Sequence, residues 1–106
     1  SLKETYTDNS TRYDDAVYEL GDSIAEARLL LTKMKDEILQ NAITTAEQAF
    51  AAAGKTSAAS TKYSELTIQI TALAKEMERV RKLIEIATSI DAINIESKSI
   101  QRKDSL

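Results

Sequence analysis

Apolar residues recur at alternating intervals of four and three residues through both halves of this 106-residue chain. In the first half they are Tyr13, Val17, Leu20, Ile24, Ala27, Leu31, Met34 and Ile38. In the second half they are Ala59, Tyr63, Leu66, Ile70, Leu73, Met77, Val80, Ile84 and Ala87. Because a repeat of about 3.5 residues keeps one face of an α-helix apolar, the two series predict long helices that pack side by side.

Few residues interrupt this pattern. The chain has no proline and two glycines, so nothing divides it into the short elements that a β-rich fold needs. Gly54 follows three alanines near the midpoint, and Thr56 or Ser57 can cap a following helix. The sequence therefore predicts an all-α fold, a long antiparallel helical hairpin with Gly54 as its hinge.

We predict a single helical domain over residues 1–106. Its parts are a short or frayed N-terminal segment (1–10), a first helix (12–53), a hinge (54–57), a second helix (58–97) and a polar tail (98–106). Such a hairpin pairs Ile24 with Ile86 and Val17 with Ile93. A two-helix hairpin buries little apolar surface, so we expect a helical bundle completed by self-association or by a partner.

An alternative arrangement arises from the middle of the first helix. After Ile38 the apolar residues move by one position, to Leu39, Ile43, Ala46 and Phe50, as they do in a straight helix. However, the segment from Thr44 to Glu47 has the form of a capping box, which marks a helix start. A break near residues 41–45 would give three helices.

The charge distribution supports folding of one half against the other. Residues 1–53 carry ten acidic and five basic side chains, whereas residues 54–106 carry seven acidic and nine basic ones. The densest basic cluster runs from Arg79 to Lys82. We expect this cluster to neutralise acidic side chains of the first half, because it is too small and too poor in aromatic residues for a nucleic-acid site.

The composition leaves little for catalysis. The chain has no cysteine and no histidine, so thiolate chemistry and the commonest general base are absent. Neighbouring carboxylates such as Asp36 and Glu37 diverge on a helix, and the two glycines are too far apart for a phosphate-binding loop. We predict a protein that is not an enzyme, with no catalytic, cofactor-binding or metal-binding residues and no transmembrane segment. Secreted and cytoplasmic locations both fit.

The second half carries more apolar residues than one helix face needs. Beyond Val80 a second stripe consists of Leu83, Ile86, Ile90 and Ile93, and continues at Ile100 after the polar Ser97. These four residues, together with the off-seam Tyr18, are the predicted contacts to a protein partner or a second copy. The alternative is that the stripe packs against the chain's own N-terminal segment. The predicted function is non-enzymatic interaction or assembly by helix–helix packing, as a structural subunit, an adaptor or a secretion-apparatus-type component.

The length, central turn and two-helix layout resemble those of small secreted WxG hairpins. The turn here carries Phe50 and Gly54 but no Trp-x-Gly motif, so no residue role follows from the resemblance. Filament and tip subunits of type III secretion also use long helical hairpins. A different hypothesis is an extracytoplasmic ligand-sensing bundle of a receptor, based on the polar residues Asn41, Thr45 and Gln48.

Overall fold

The computed structural model describes residues 2–55 and 63–104, and the side chains of residues 11–53 and 63–100. Within these ranges the chain forms three helices: α1 (Leu2–Lys33), α2 (Glu37–Lys55) and α3 (Tyr63–Asp104). The three helices pack against one another. The predicted all-α, bundle-like fold is therefore confirmed, in its three-helix form.

The break between α1 and α2 lies at residues 34–36, so the predicted single helix over 12–53 is wrong. Asp36 is the N-cap of α2: its Oδ1 accepts a hydrogen bond of 2.9 Å from the Leu39 amide. The break also lies before the predicted one at residues 41–45. The Thr44 and Thr45 hydroxyls donate to carbonyls of their own helix, at 3.1 Å each, and continue the helix rather than cap it.

Other predicted boundaries also differ. α1 begins at Leu2, so residues 2–10 belong to a long helix. Gly54 lies inside α2 and is not a hinge; residues 56–62, which contain the rest of the predicted hinge and the predicted start of the second helix, lie outside the described residues. α3 continues to Asp104 because good helix formers such as Arg102 and Lys103 prolong a helix that is already nucleated.

The helices run up, down and up. α2 runs antiparallel to α1, since Gly21 faces Phe50 and Arg28 pairs with Glu47. Only residues 56–62 separate α2 from α3, and Arg79, further along α3, reaches back to Asp36 at the start of α2. α3 is therefore antiparallel to α2 and parallel to α1.

This direction corrects the residue pairing predicted for a hairpin. Ile24 is buried in the bundle, whereas Ile86 lies beyond the α1–α2 connection and is exposed. Val17 and Ile93 are separated in the same way, because Val17 packs against the core and Ile93 is exposed. A third helix between the two predicted arms reverses the direction of α3 relative to α1.

The core lies along the axis of the bundle, where each helix faces the other two. Its buried side chains come from all three helices: Ala16, Leu20, Ile24, Ala27, Leu30, Leu39, Ile43, Ala46, Ala49, Leu66, Leu73, Met77 and Val80. Most lie on the apolar faces seen in the sequence. Ile38 and Tyr63 also belong to the apolar series in the sequence, but 57% and 48% of their surface is exposed.

The molecule is long and thin, with principal extents of 81 × 24 × 15 Å and a radius of gyration of 21.0 Å. A compact domain of this length has a radius of gyration of about 13 Å. The difference arises because α1 and α3 project from opposite ends of the three-helix bundle.

Candidate interaction surface

The C-terminal half of α3 extends past the α1–α2 connection without a neighbouring helix. We call residues 85–104 the α3 arm. Every side chain described in it, from residue 85 to residue 100, is exposed, whereas Leu73, Met77 and Val80 further back on α3 are buried. At 1.5 Å per residue, the arm projects about 30 Å. Its surface is therefore the largest part of the described chain that the bundle leaves uncovered.

Five large aliphatic side chains form one stripe that begins at Leu83, two residues before the arm, and continues along the arm. Ile95, which is 70% exposed, lies on the opposite face of the helix. The arm stripe consists of Leu83, Ile86, Ile90, Ile93 and Ile100, with 38%, 56%, 52%, 63% and 52% of their surface exposed. They repeat at intervals of three and four residues, apart from Ser97 between the last two. A stripe at this spacing is the surface with which one helix packs against another.

The arm stripe does not continue the core face of α3. That face runs through Val80 and Ile84 to Ala87, and the next positions at the same spacing are the polar Asp91 and Asn94. The stripe lies one residue to the side, which turns the apolar face by about 100° around the helix. Any helix that covers the stripe must therefore approach from a different side than α1 and α2.

The amino-acid composition of the arm favours the helix only weakly, so the helix depends on the packing of its apolar face. Isoleucine, threonine, serine and asparagine have low helix propensity, and they make up most of residues 86–100. No described side chain of the bundle buries any of them. Helices of this kind depend on the packing of an apolar face.

A cluster of ion pairs fixes the base of the arm. The Arg79 guanidinium donates to both carboxylate oxygens of Asp36 and, from Nε, to Glu76 at 2.7 Å. Its hydrogen bonds hold the pKa of Asp36 below its usual value, helped by the Leu39 amide, and the two carboxylates raise the pKa of Arg79. This cluster connects α3 to the start of α2.

The other bases of the cluster are also paired. Arg81 contacts Glu26 of α1, and Lys82 lies 3.5 Å from Glu78 of its own helix. Arg79 and Arg81 thus pair with acidic residues of the first half, as the charge distribution predicts. The charge distribution alone does not identify Asp36 as the partner of Arg79. The one local signal is an Asp-Glu pair ahead of the apolar Leu39, a sequence typical of a helix start.

Tyr18, the fifth predicted contact residue, does not join the arm stripe. Its side chain is 77% exposed on α1, beside an open groove of about 250 Å³ that Gly21 and Phe50 also line. The α1–α2 connection lies 15 residues further along α1, roughly 20 Å at the helical rise. The structure thus brings Leu83, Ile86, Ile90 and Ile93 together and leaves Tyr18 apart.

A groove along the arm is lined by Ile93, Glu96, Ser97 and Ile100 of α3, and the remaining grooves lie between helices of the bundle. One of about 490 Å³ at the α1–α2 connection is lined by Arg28, Leu31, Thr32, Lys35, Asp36, Glu37 and Gln40. Asn41, Thr45 and Gln48, the polar residues behind the ligand-sensing hypothesis, line none of the grooves found between the described helices. That hypothesis stays a prediction.

None of the described helices is long and apolar enough to cross a membrane. Among residues 2–55 and 63–104, no three acidic side chains are grouped so that they could hold a metal ion. No protein-family model, curated protein or solved structure matches the chain.

Proposed function

We propose that this protein is a non-enzymatic interaction or assembly protein that works by helix–helix packing through the arm stripe. The observation behind this proposal is a helical arm of about 30 Å whose described side chains are all exposed and in which Ile86, Ile90, Ile93 and Ile100 share one face. Contiguous apolar patches of this kind mark sites of protein–protein contact. The bundle holds the arm in place, and the arm makes the contact.

The chain's own N-terminal segment does not offer a competing explanation for the stripe. α1 begins at Leu2, at the end of the bundle opposite to the α1–α2 connection, and the arm leaves the bundle at that connection. Because α1 is a continuous helix from Leu2 to Lys33, its first turns point away from the arm. The stripe is therefore available to another chain.

The residues beside the stripe also suit a helical partner. Ala87, Ser89 and Asn94 flank the apolar positions, and their small side chains allow the backbone of a second helix to approach closely. Glu85, Asp91 and Lys98 lie further around the helix, where they keep the opposite face in contact with water. This pattern favours a helix over an extended strand as the partner element.

Site-specific photo-crosslinking in the cells that make the protein tests this function. A photoreactive amino acid in place of Ile90 should give crosslinks to protein, either a second copy or another chain. The matched control is the same group in place of Ile68, which is also an isoleucine of α3 and is 62% exposed, but lies on the bundle. Equal yields at the two positions, or none at Ile90, would contradict the proposal.

A paired substitution examines the same surface without a probe. Ile86→Ser with Ile90→Ser should abolish the association and leave the bundle folded, since neither side chain contributes to the core. Loss of association should be accompanied by an unchanged unfolding transition of the bundle. Association that persists in this variant would show that the arm stripe is not the contact surface.

A further inference from the structure

We infer that the arm is a folding unit of its own, which opens and re-forms independently of the bundle while its stripe is uncovered and is held in the helical state by contact at the stripe. This inference rests on the proposed function, because it says how the contact surface of that function is regulated. Three features of α3 support it: the helix propensity of its two halves, the interactions between its successive turns and the place where its contacts with the bundle end.

The two halves of α3 are built from residues of different helix propensity. Residues 72–83 contain eleven strong helix formers, which are alanine, leucine, methionine, lysine, arginine and glutamate, and one weaker one, Val80. Residues 86–97, a stretch of the same length, contain three strong helix formers, and the other nine are isoleucine, serine, threonine, asparagine and aspartate. Intrinsic propensity therefore supports the helix within the bundle and gives it little support in the arm.

Interactions between successive turns of α3 also differ between the bundle and the arm. Within the bundle, Glu76 pairs with Arg79 three residues further on, at 2.7 Å. From residue 86 to residue 100 no acidic and basic residues lie three or four positions apart, so the sequence offers no such pair there. The Ser89 hydroxyl donates to the Glu85 carbonyl at 2.9 Å, a bond that slightly weakens a helix. The helix of the arm thus depends mainly on its backbone hydrogen bonds.

The contacts of α3 with the bundle end at a defined residue. Arg79 is bonded to Asp36, Val80 is fully buried and Ile84 still packs against the core. Every described side chain after Ile84 is exposed, so opening of the helix as far as this residue breaks no core contact. Helices of about 15 residues without tertiary packing are marginal in water even when they are alanine-rich. The arm therefore opens at a lower free energy than the bundle.

Opening of the arm couples its order to the contact at its stripe. Only the helical arm presents Ile86, Ile90 and Ile93 on one face, because their alignment depends on the helical spacing. A partner that packs on the stripe selects the helical form, and its apparent affinity is reduced by the fraction of arms that are open. The helix propensity of arm residues that never touch the partner then influences the strength of the contact.

Hydrogen exchange of the purified full chain at low protein concentration tests the opening. The amides of residues 88–100 should be protected roughly a hundredfold less, or lower still, than those of residues 70–82. Urea below the unfolding transition should lower the protection of residues 70–82 and leave that of residues 88–100 almost unchanged, because opening of the arm exposes little new surface and unfolding of the bundle exposes much. Equal protection of the two segments, or a parallel fall in urea, would overturn the inference.

A matched pair of variants measures the coupling. Thr88 and Ser99 are exposed and lie on the side of α3 away from the arm stripe. Thr88→Ala with Ser99→Ala raises the helix propensity of the arm, and Thr88→Gly with Ser99→Gly lowers it. Protection of the arm should differ between the two variants by roughly 15- to 30-fold where both residues open together, with no difference at residues 70–82. The crosslink yield from the photoreactive group at Ile90, per molecule of protein, should be higher in the alanine variant than in the glycine variant.

Failure of this inference and failure of the proposed function give different results. An arm that is protected as strongly as the bundle would overturn the inference, and crosslinks at Ile90 would still support the function. Equal crosslink yields from the alanine and glycine variants would overturn the coupling and leave the function in place. No crosslink at Ile90 in any variant would overturn the function and the coupling together, whatever the exchange of the arm shows.

Discussion

The carboxylate of Asp36 receives hydrogen bonds from two elements at once. The Leu39 amide donates to it from the first turn of α2, and the Arg79 guanidinium donates to it from α3. The first contact starts a helix, and the second attaches that helix to its neighbour. A single side chain thus places the α1–α2 connection relative to the base of the arm.

The depressed pKa of Asp36 predicts a dependence of stability on pH. Because the pKa is lower in the folded state than its usual value near 3.8, the ionised carboxylate stabilises the fold above about pH 4. This contribution is lost as the pH falls through the folded pKa. Asp36→Asn should lower the melting temperature at neutral pH, and the difference from the wild type should shrink as the pH falls below about 4.

Thermal unfolding of the wild type and the variant across this pH range measures the deficit. Glu37→Gln is the control, since Glu37 is the next residue and also sits in the first turn of α2. Glu37→Gln should lower the melting temperature less than Asp36→Asn at neutral pH. A deficit for Asp36→Asn that is the same at neutral pH and in acid would contradict the assignment.

Gly21 allows the Phe50 ring to lie against α1. A Cβ added at this position would come within 3.0 Å of Phe50 Cε2, a contact that requires the ring to move. Gly21→Ala should stabilise the helix by about 1 kcal/mol through its higher propensity, and the contact with Phe50 should cancel part of this gain. The gain should therefore be larger in a Phe50→Ala background, by roughly 0.5–1 kcal/mol in a double-mutant cycle. Additive effects in urea denaturation would mean that the ring gives way freely.

At the scale of the element, α3 is one helix with two environments. Its first half contributes Leu66, Leu73, Met77 and Val80 to the core, and beyond Ile84, which packs against the core, its second half contributes no described side chain. The first half is stabilised by burial, and it supplies the nucleus from which the arm is prolonged. The arm itself depends on what covers its stripe.

This difference predicts opposite outcomes for two aliphatic truncations on the same helix. Leu73→Ala removes a fully buried side chain and should lower the free energy of unfolding by about 2–5 kcal/mol. Ile90→Ala removes a half-exposed one and should change it by no more than about 0.5 kcal/mol when the chain is monomeric. Denaturant titrations at low protein concentration compare the two. A large loss for Ile90→Ala there would show that the arm packs on its own bundle.

The elongated shape of the whole molecule results from the positions at which its helices end. α1 and α3 run in the same direction, but α3 leaves the bundle at the end where α1 stops. The result is a rod 81 Å long, with the proposed contact surface at one end of it.

Small-angle scattering of the monomeric Ile86→Ser, Ile90→Ser variant checks this shape. We expect a radius of gyration near 21 Å and a maximum dimension near 80 Å. An arm folded back on the bundle would shorten the molecule by its own length, about 30 Å.

The spacing of apolar residues along the chain predicts the helical class, most of the core and the arm stripe. These follow from periodicity, because a side chain at a given spacing lies on a given face of a helix whatever the rest of the chain does. Leu20, Ile24, Leu66, Leu73 and Val80 were all identified in this way and are buried. The same rule identifies the exposed stripe, because the second half of the chain has more apolar residues than one buried helix face can hold.

The position of the break in the first half and the direction of α3 depend on contacts between helices, which the local sequence does not reveal. The local capping signals at Asp36 and at Thr44 are of similar strength, and the choice between them depends on Arg79, 43 residues away from Asp36. Because successive helices are antiparallel, the two helices α1 and α2 before α3 make α3 parallel to α1. The local spacing of residues does not predict a contact between distant residues. For this reason the three-helix bundle and its uncovered arm are seen only in the folded structure.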